Sequence, residues 1–259
     1  MDIDNYLSQI FSLKGKVSLV TGASRGLGRA YALTLAHAGS DLIIISRNKK
    51  ELQSLKNELS RAGTKIHVLP GDLSNLREIP GLVQRSVEEF GRIDILINNA
   101  GRNIRKPILE LTGEDLKNVI DLNLMSVFLM SQHVGRQMIQ QGGGKIIMVA
   151  SLSSFIGLPN ISIYGASKGG IVSLTKAFAT EWAKHRINVN AIAPGYFETE
   201  MTSALFKDKK KLNWILSRIP LGRTGAPEDL AGVLLFLASS ASDYVTGQVI
   251  AVDGGWLSS

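Results

Sequence analysis

The sequence predicts a single α/β domain built on a doubly wound sheet of seven mainly parallel strands with helices on both faces. Three observations predict it. Short β-rich runs alternate with helix-length segments almost to the C-terminus. Most of those runs are continuously apolar, the pattern of strands covered on both faces rather than one. At 259 residues with 44% hydrophobic content the chain is long enough for one large core, and no Pro/Ser-rich linker divides it.

The strands are expected at 16–21 (KVSLVT), 41–46 (DLIIIS), 65–70 (KIHVLP), 93–98 (IDILIN), 145–150 (KIIMVA), 188–193 (NVNAIA) and 248–253 (QVIAVD). Helices are expected over 26–38, 49–62, 76–90, 114–140, 163–185 and 227–238, with the glycines at 142–144 stopping the fourth. Residues 1–12 read as an N-terminal extension, and 196–220 as a less regular segment forming a lid over the substrate. Packing explains that segment least.

Composition excludes several classes. No cysteine is present, which removes disulfides, thiolate nucleophiles and cysteine-ligated zinc. The four histidines, His37, His67, His133 and His185, lack any ligand spacing, so no catalytic metal is expected. The opening MDIDNYLSQIF carries acidic residues where a secretory signal needs basic ones, and no apolar run approaches the roughly 18 residues of a membrane span; a soluble, cytoplasmic protein is expected. The net charge of +7 is spread along the chain without a nucleic-acid motif, so it serves better to attract an anionic substrate and cofactor. Its densest run, Lys207 to Lys211, reads as a solvated helix face.

The first strand runs into Thr21-Gly22-Ala23-Ser24-Arg25-Gly26-Leu27-Gly28 and then a helix pattern, the context a dinucleotide fingerprint needs on a Rossmann-type sheet. The glycines allow a tight turn and close approach of backbone to a pyrophosphate, while the helix N-terminus offers free N–H groups. Sites for NAD usually place a carboxylate at the end of the second strand, to bind the ribose 2′-hydroxyl; here that place reads Ser46-Arg47. Arg47, with Arg25, offers guanidinium donors to a 2′-phosphate, so NADP(H) is favoured over NAD(H); two ordinary surface arginines are the competing reading. Asp72, with Leu73 beside it, follows the third strand and is placed to accept from the adenine amino group or, equally, to start a turn. Asn98-Asn99-Ala100-Gly101 closes the fourth strand, where the asparagines can order neighbouring loops and Gly101 leaves room for the cofactor.

Tyr164 and Lys168 stand at i and i+4 on one helix face. At roughly 4–5 Å and an effective dielectric near 20, the ammonium would favour the phenolate by about 3–4 kcal/mol, bringing Tyr164 toward working pH. Ser151 ends the fifth strand, where its hydroxyl can bond the substrate oxygen; Ser153 and Ser154 compete by type, and spacing favours Ser151. Asn123, polar among apolar neighbours, either holds a water relaying protons from Lys168 or is a satisfied buried amide.

Together these motifs resemble the short-chain dehydrogenase/reductase family over roughly residues 13–255: T-G-x-x-x-G-x-G at 21–28, N-N-A-G at 98–101, Asn123, Ser151, Y-x-x-x-K at 164–168, and Pro194-Gly195 with Thr199 occur in family order. The resemblance implies a catalytic tetrad of Asn123, Ser151, Tyr164 and Lys168, contact of Lys168 with the nicotinamide ribose, a nicotinamide site over Pro194 to Thr199, and a homotetramer. The loop Gly101-Arg-Asn-Ile-Arg-Lys-Pro107 resembles sugar-acid members, gluconate 5-dehydrogenases among them, which carry an arginine pair before a proline. Arg105 matches the second of the pair, and Ile104 replaces the first. Arg105 and Lys106 suit a carboxylate, against which stands a merely solvated basic loop. The expected reaction is reversible oxidation of a sugar acid such as D-gluconate to its 5-keto form. Reduction of a 3-oxoacyl thioester on a carrier protein, or a non-catalytic dinucleotide sensor, would use the same motifs.

Overall fold

The computed structural model describes residues 3–200 and 202–258; Met1, Asp2 and Met201, parts of the expected extension and lid, lie outside the described residues. The elements run α1 (Ile3–Phe11), β1 (Val17–Thr21), α2 (Gly26–His37), β2 (Asp41–Ser46), α3 (Lys49–Glu58), β3 (Ile66–Pro70), α4 (Ile79–Phe90), β4 (Ile95–Asn98), α5 (Gly113–Ile120), α6 (Ser126–Gln141), β5 (Gly144–Val149), α7 (Ser162–Trp182), β6 (Ile187–Pro194), α8 (Ser203–Lys207), α9 (Lys209–Ser217), α10 (Ala231–Ala238) and β7 (Val249–Val252). Each expected strand is present, in the order β3-β2-β1-β4-β5-β6-β7, and every pairing is parallel.

Alternate residues of each strand face opposite layers, so continuous apolar runs feed two cores at once. Leu19, Ile43, Ile45, Leu96, Ile146 and Met148 pack with Leu82 of α4, Met130, Val134 and Met138 of α6 and Ile171 of α7. On the other face Val20, Ile44, Ile97, Ile147 and Ile192 meet Tyr31 and Leu35 of α2, Leu52 and Leu55 of α3, and Leu234 and Leu237 of α10. Full burial of one such aliphatic side chain stabilises by about 1.5–3 kcal/mol, and this doubly covered sheet is what holds the strand ends in place.

The departures from expectation are local. The helix expected over 114–140 is interrupted by a π-helical turn, Asp121–Met125, between α5 and α6. Thr112 and Asp115 cap the start of α5, and the π turn between α5 and α6 holds the buried Asn123. The 196–220 segment is more regular than expected, holding α8 and α9. Asp208 separates them: its extended backbone breaks the basic run, and its carboxylate caps α9 by accepting from Lys210 and Lys211 N–H. Lys207 to Lys211 is therefore not one helix face. The N-terminal extension likewise holds a helix, α1, tied to the body where Ser240 Oγ donates to the Ile10 carbonyl at 3.0 Å.

Candidate active site

The strand order reverses between β1 and β4, and ligands of open α/β sheets bind at that switch point, beyond the carboxyl ends of the strands. A cavity of about 950 Å³ lies there. It is lined by Gly22, Ser24, Arg25, Gly26, Leu27, Gly28, Ser46, Arg47, Asp72, Leu73, Asn99, Ala100, Gly101, Ser151, Tyr164, Lys168, Pro194, Gly195 and Thr199. Of the site residues expected from sequence, Asn123, Arg105 and Lys106 stand outside this lining.

The nucleotide end is built from backbone. A Cβ on Gly28 would fall 2.2 Å from the Gly22 carbonyl oxygen and 2.4 Å from Asn99 Nδ2, so no larger residue fits without moving the loop. Asn99 does order its neighbours: its Nδ2 donates to the Thr21 and Gly22 carbonyls at 3.0 and 3.3 Å, and Thr21 Oγ1 accepts from the Asn99 and Ala100 N–H groups at 3.0 and 3.1 Å. The N-cap of α2, Arg25, is extended and makes no side-chain cap, which leaves the first-turn N–H groups facing the cavity for an anion. Ser46 Oγ donates to Ser24 Oγ at 2.9 Å, joining the end of β2 to the glycine loop where a carboxylate would otherwise stand. These features fit a phosphorylated dinucleotide: uncapped donors for the pyrophosphate, and cations without a carboxylate at the second strand end.

Asp72 serves the turn first, its Oδ1 accepting from Ser74 N and Oγ at 3.0 and 2.7 Å. Burial works to raise its carboxyl, but the Ser74 hydrogen bonds, with Arg47 and Arg102 nearby, outweigh that and hold it below the usual carboxylate range.

At the chemical end, core packing delivers each group. Ser151 follows β5 and opens the next turn, accepting from Ser153 N at 3.2 Å and Ser153 Oγ at 3.0 Å. Ser153 is thereby spent on orienting Ser151, whose own hydroxyl reaches Tyr164. Lys168 is buried, its Nζ donating to the Val149 carbonyl at 2.6 Å and lying 5.8 Å from the Tyr164 ring centre. Burial pushes its ammonium down to about 8 from 10.5. Lys168 does not lower the Tyr164 phenol as expected: burial raises it, and the groups that oppose burial are Ser151 and Arg105. The ammonium is anchored on a carbonyl rather than against the phenol oxygen.

Asn123 is the satisfied amide of the two sequence alternatives. Its Oδ1 accepts from Arg102 N at 2.9 Å, and its Nδ2 donates to Arg102 O at 2.9 Å and Ser167 Oγ at 3.1 Å. The side chain thus clamps the loop after β4, within reach of Gly101 and of Lys168 behind it.

Arg105 is exposed, but it comes close enough to Tyr164 and Tyr196 to lower both phenols against the opposing effect of burial. Lys106 does not share its role: it pairs with Asp115 at 2.7 Å, and that contact leads in holding the Asp115 carboxyl down to about 2. Sequence reasoning missed the Val149 carbonyl, Ser167 and Glu200; the last lines the cavity beside Thr199 and pairs with Arg25. Among the described residues no group of three or more His, Cys, Asp or Glu is placed to hold a metal, and no helix is long and apolar enough to cross a membrane.

A parallel seven-stranded sheet, a glycine loop at its switch point, and a Ser-Tyr-Lys group at the end of β5 define a nucleotide-dependent oxidoreductase. The chain belongs to the short-chain dehydrogenase/reductase family: the family model described as enoyl-(acyl carrier protein) reductase, which is of this family, matches residues 22–257. It is 50% identical to a 2-dehydro-3-deoxy-D-gluconate 5-dehydrogenase of Escherichia coli (strain K12) over 95% of this chain and 97% of the relative. It is 41% identical to a gluconate 5-dehydrogenase of Gluconobacter oxydans (strain 621H), over 95% and 96% respectively. Among solved structures it resembles a gluconate 5-dehydrogenase from Burkholderia cenocepacia J2315 in complex with NADP and tartrate, at 38% identity and a TM-score of 0.94, covering 98% of this chain and 99% of that one.

Proposed function

We propose that this chain interconverts the secondary alcohol and the ketone at C5 of a six-carbon sugar acid, with NADP(H) preferred to NAD(H). What supports the reading is a cleft that holds Tyr164, Ser151 and Lys168 together with Arg25 and Arg47, with the Arg105 guanidinium outside its lining but near enough to work toward lowering the Tyr164 phenol. A guanidinium there can hold the substrate carboxylate bidentately while Tyr164 faces the reacting oxygen.

The nicotinamide, when bound, supplies or accepts the hydride. Tyr164 takes the hydroxyl proton in oxidation and returns it in reduction, and Ser151, held by Ser153, orients the same oxygen. Lys168, anchored on the Val149 carbonyl, would hold the ribose end. Asn123 fixes the Arg102 loop.

D-Gluconate is the substrate the loop motif favours. The relatives at 50%, 48% and 45% identity are named instead for 2-dehydro-3-deoxy-D-gluconate, which shares the carboxylate and the C5 hydroxyl. That substrate is the second reading. Assembly as a homotetramer in the cytoplasm accompanies the proposal, and light scattering on the purified protein checks the oligomer.

Steady-state assays with both sugar acids, other polyols and an acetoacetyl thioester, each with NADP and NAD, test the function. Turnover on a sugar acid with higher kcat/KM for NADP supports it. Activity confined to the thioester overturns it, and tight NADPH binding with no turnover anywhere marks a sensor.

A further inference from the structure

The arginines around the adenosine end of the cleft already face carboxylates of the protein. Burial works to raise the Asp72 carboxyl, the Ser74 hydrogen bonds outweigh it, and Arg47 and Arg102 lie close enough to add to that lowering. Arg25, in the glycine loop, donates from Nη1 to Glu200 Oε2 at 2.5 Å, a contact 175 residues apart in sequence. Both partners line the same cavity, so the bridge crosses the cleft.

Glu200 is carried by a strap following β6. Next to it, Thr199 lies over the glycine loop, its Cβ and methyl 3.7 Å from where a Cβ on Gly26 would stand. The strap is held at Phe197, which is buried and bridges to Gly225, and by Thr202, whose Oγ1 accepts from Thr199 N at 3.0 Å and donates to Phe197 O at 2.6 Å. Beyond that anchor the Arg25–Glu200 contact is the charged link between strap and glycine loop.

We infer that Glu200 discriminates between cofactors: it holds Arg25 across the cleft until a 2′-phosphate takes Arg25 from it, so that NADP(H) exchanges the bridge and frees the strap while NAD(H) leaves it closed. The inference rests on the NADP(H) reading above. A guanidinium fork accepts either a carboxylate or a phosphate, and a phosphate monoester carries about −1.5 to −2 charges against one for the carboxylate. With side chains 62% and 67% exposed, the pair is weak enough to be displaced on binding. NAD(H) offers a hydroxyl at that place, which has no charge with which to compete. The same residue therefore opposes the 2′-phosphate by repulsion and by occupying its ligand.

Fluorescence titration with NADPH and NADH separately, which needs no substrate, tests this on wild type, Glu200→Gln, Arg25→Ala and the double variant. Glu200→Gln is expected to tighten NADPH by about two- to fivefold, the range an exposed ion pair spans, with NADH unchanged. Raising the salt should narrow that gain. Arg25→Ala should weaken NADPH selectively, and in that background Glu200→Gln should do nothing. An unchanged or weaker NADPH affinity in Glu200→Gln, an equal change for both cofactors, or a gain persisting without Arg25 overturns the inference. If Arg25→Ala does not discriminate between the cofactors, the phosphate reading of Arg25 fails and this inference with it; if it does and Glu200→Gln fails, only the inference falls.

Discussion

The floor of the cleft and its roof are built on different terms. The floor is the set of strand ends after β1, β4 and β5, carried on a core in which Leu19, Leu96 and Ile146 are wholly buried, and Lys168 is buried beside it. The roof is the loop after β4 and the segment with α8 and α9, fixed by a small cluster of Leu152, Ile215, Ile219 and Trp256, with the Arg218 guanidinium 5.1 Å from the Trp256 ring centre. In the proposed function chemistry falls to the floor, where a few residues of motif carry a geometry that the whole core enforces. Recognition falls in that proposal to the roof, where exposed side chains such as Arg105 can change without disturbing the fold.

That division predicts a graded response to mutation. Tyr164→Phe should cost about 10²- to 10⁴-fold in kcat with NADPH affinity intact; a variant retaining near-normal kcat would remove the phenol from the proton transfer. Gly28→Ala places a carbon 2.2 Å from the Gly22 carbonyl and should abolish measurable NADPH binding, with circular dichroism reporting whether the sheet survives. Arg105→Ala on the roof should raise KM for a sugar acid by about 10- to 100-fold, the worth of a charged hydrogen bond, with a smaller change in kcat. A loss confined to kcat would place Arg105 in the floor's chemistry instead.

The smallest effect concerns stability. Because burial lowers the Lys168 ammonium to about 8 from 10.5, the unfolded chain binds more protons between those values, and Lys168 adds stability as pH rises through that window. Below about 8 the charged form is disfavoured in the folded state by a constant amount. Lys168→Met should therefore be most stable relative to wild type at neutral pH, the difference shrinking toward pH 10.5 in denaturant titrations. A difference independent of pH would mean that the ammonium is solvated.

The same division governs what could be read from sequence. Strands β1 to β7 were legible because a doubly covered strand must be apolar throughout, and Gly22 to Gly28 and Asn99 because their roles are set by neighbours in the chain. Ser151 was separable from Ser153 by spacing, and the structure supplies the reason, Ser153 donating to Ser151. What escaped depends on distant partners. The Val149 carbonyl that receives Lys168 has no side-chain signature. The π turn between α5 and α6 has no signature in the chain, and Asn123 is engaged by the backbone of a loop 21 residues before it. Asp208 was visible in the basic run, but its capping of α9 was not read from it. Lys106, counted with Arg105 as a carboxylate ligand, is taken by Asp115.

The most direct test of the central claim is isotopic. Sugar acid deuterated at C5, D-gluconate or its 2-dehydro-3-deoxy counterpart, is incubated with NADP and the protein, and the reduced cofactor is weighed by mass spectrometry. The account predicts one deuterium per cofactor reduced, a primary isotope effect if transfer limits the rate, and transfer slowed by about 10²- to 10⁴-fold with Tyr164→Phe. Reduced cofactor that is free of deuterium, formed at the wild-type rate, would contradict it.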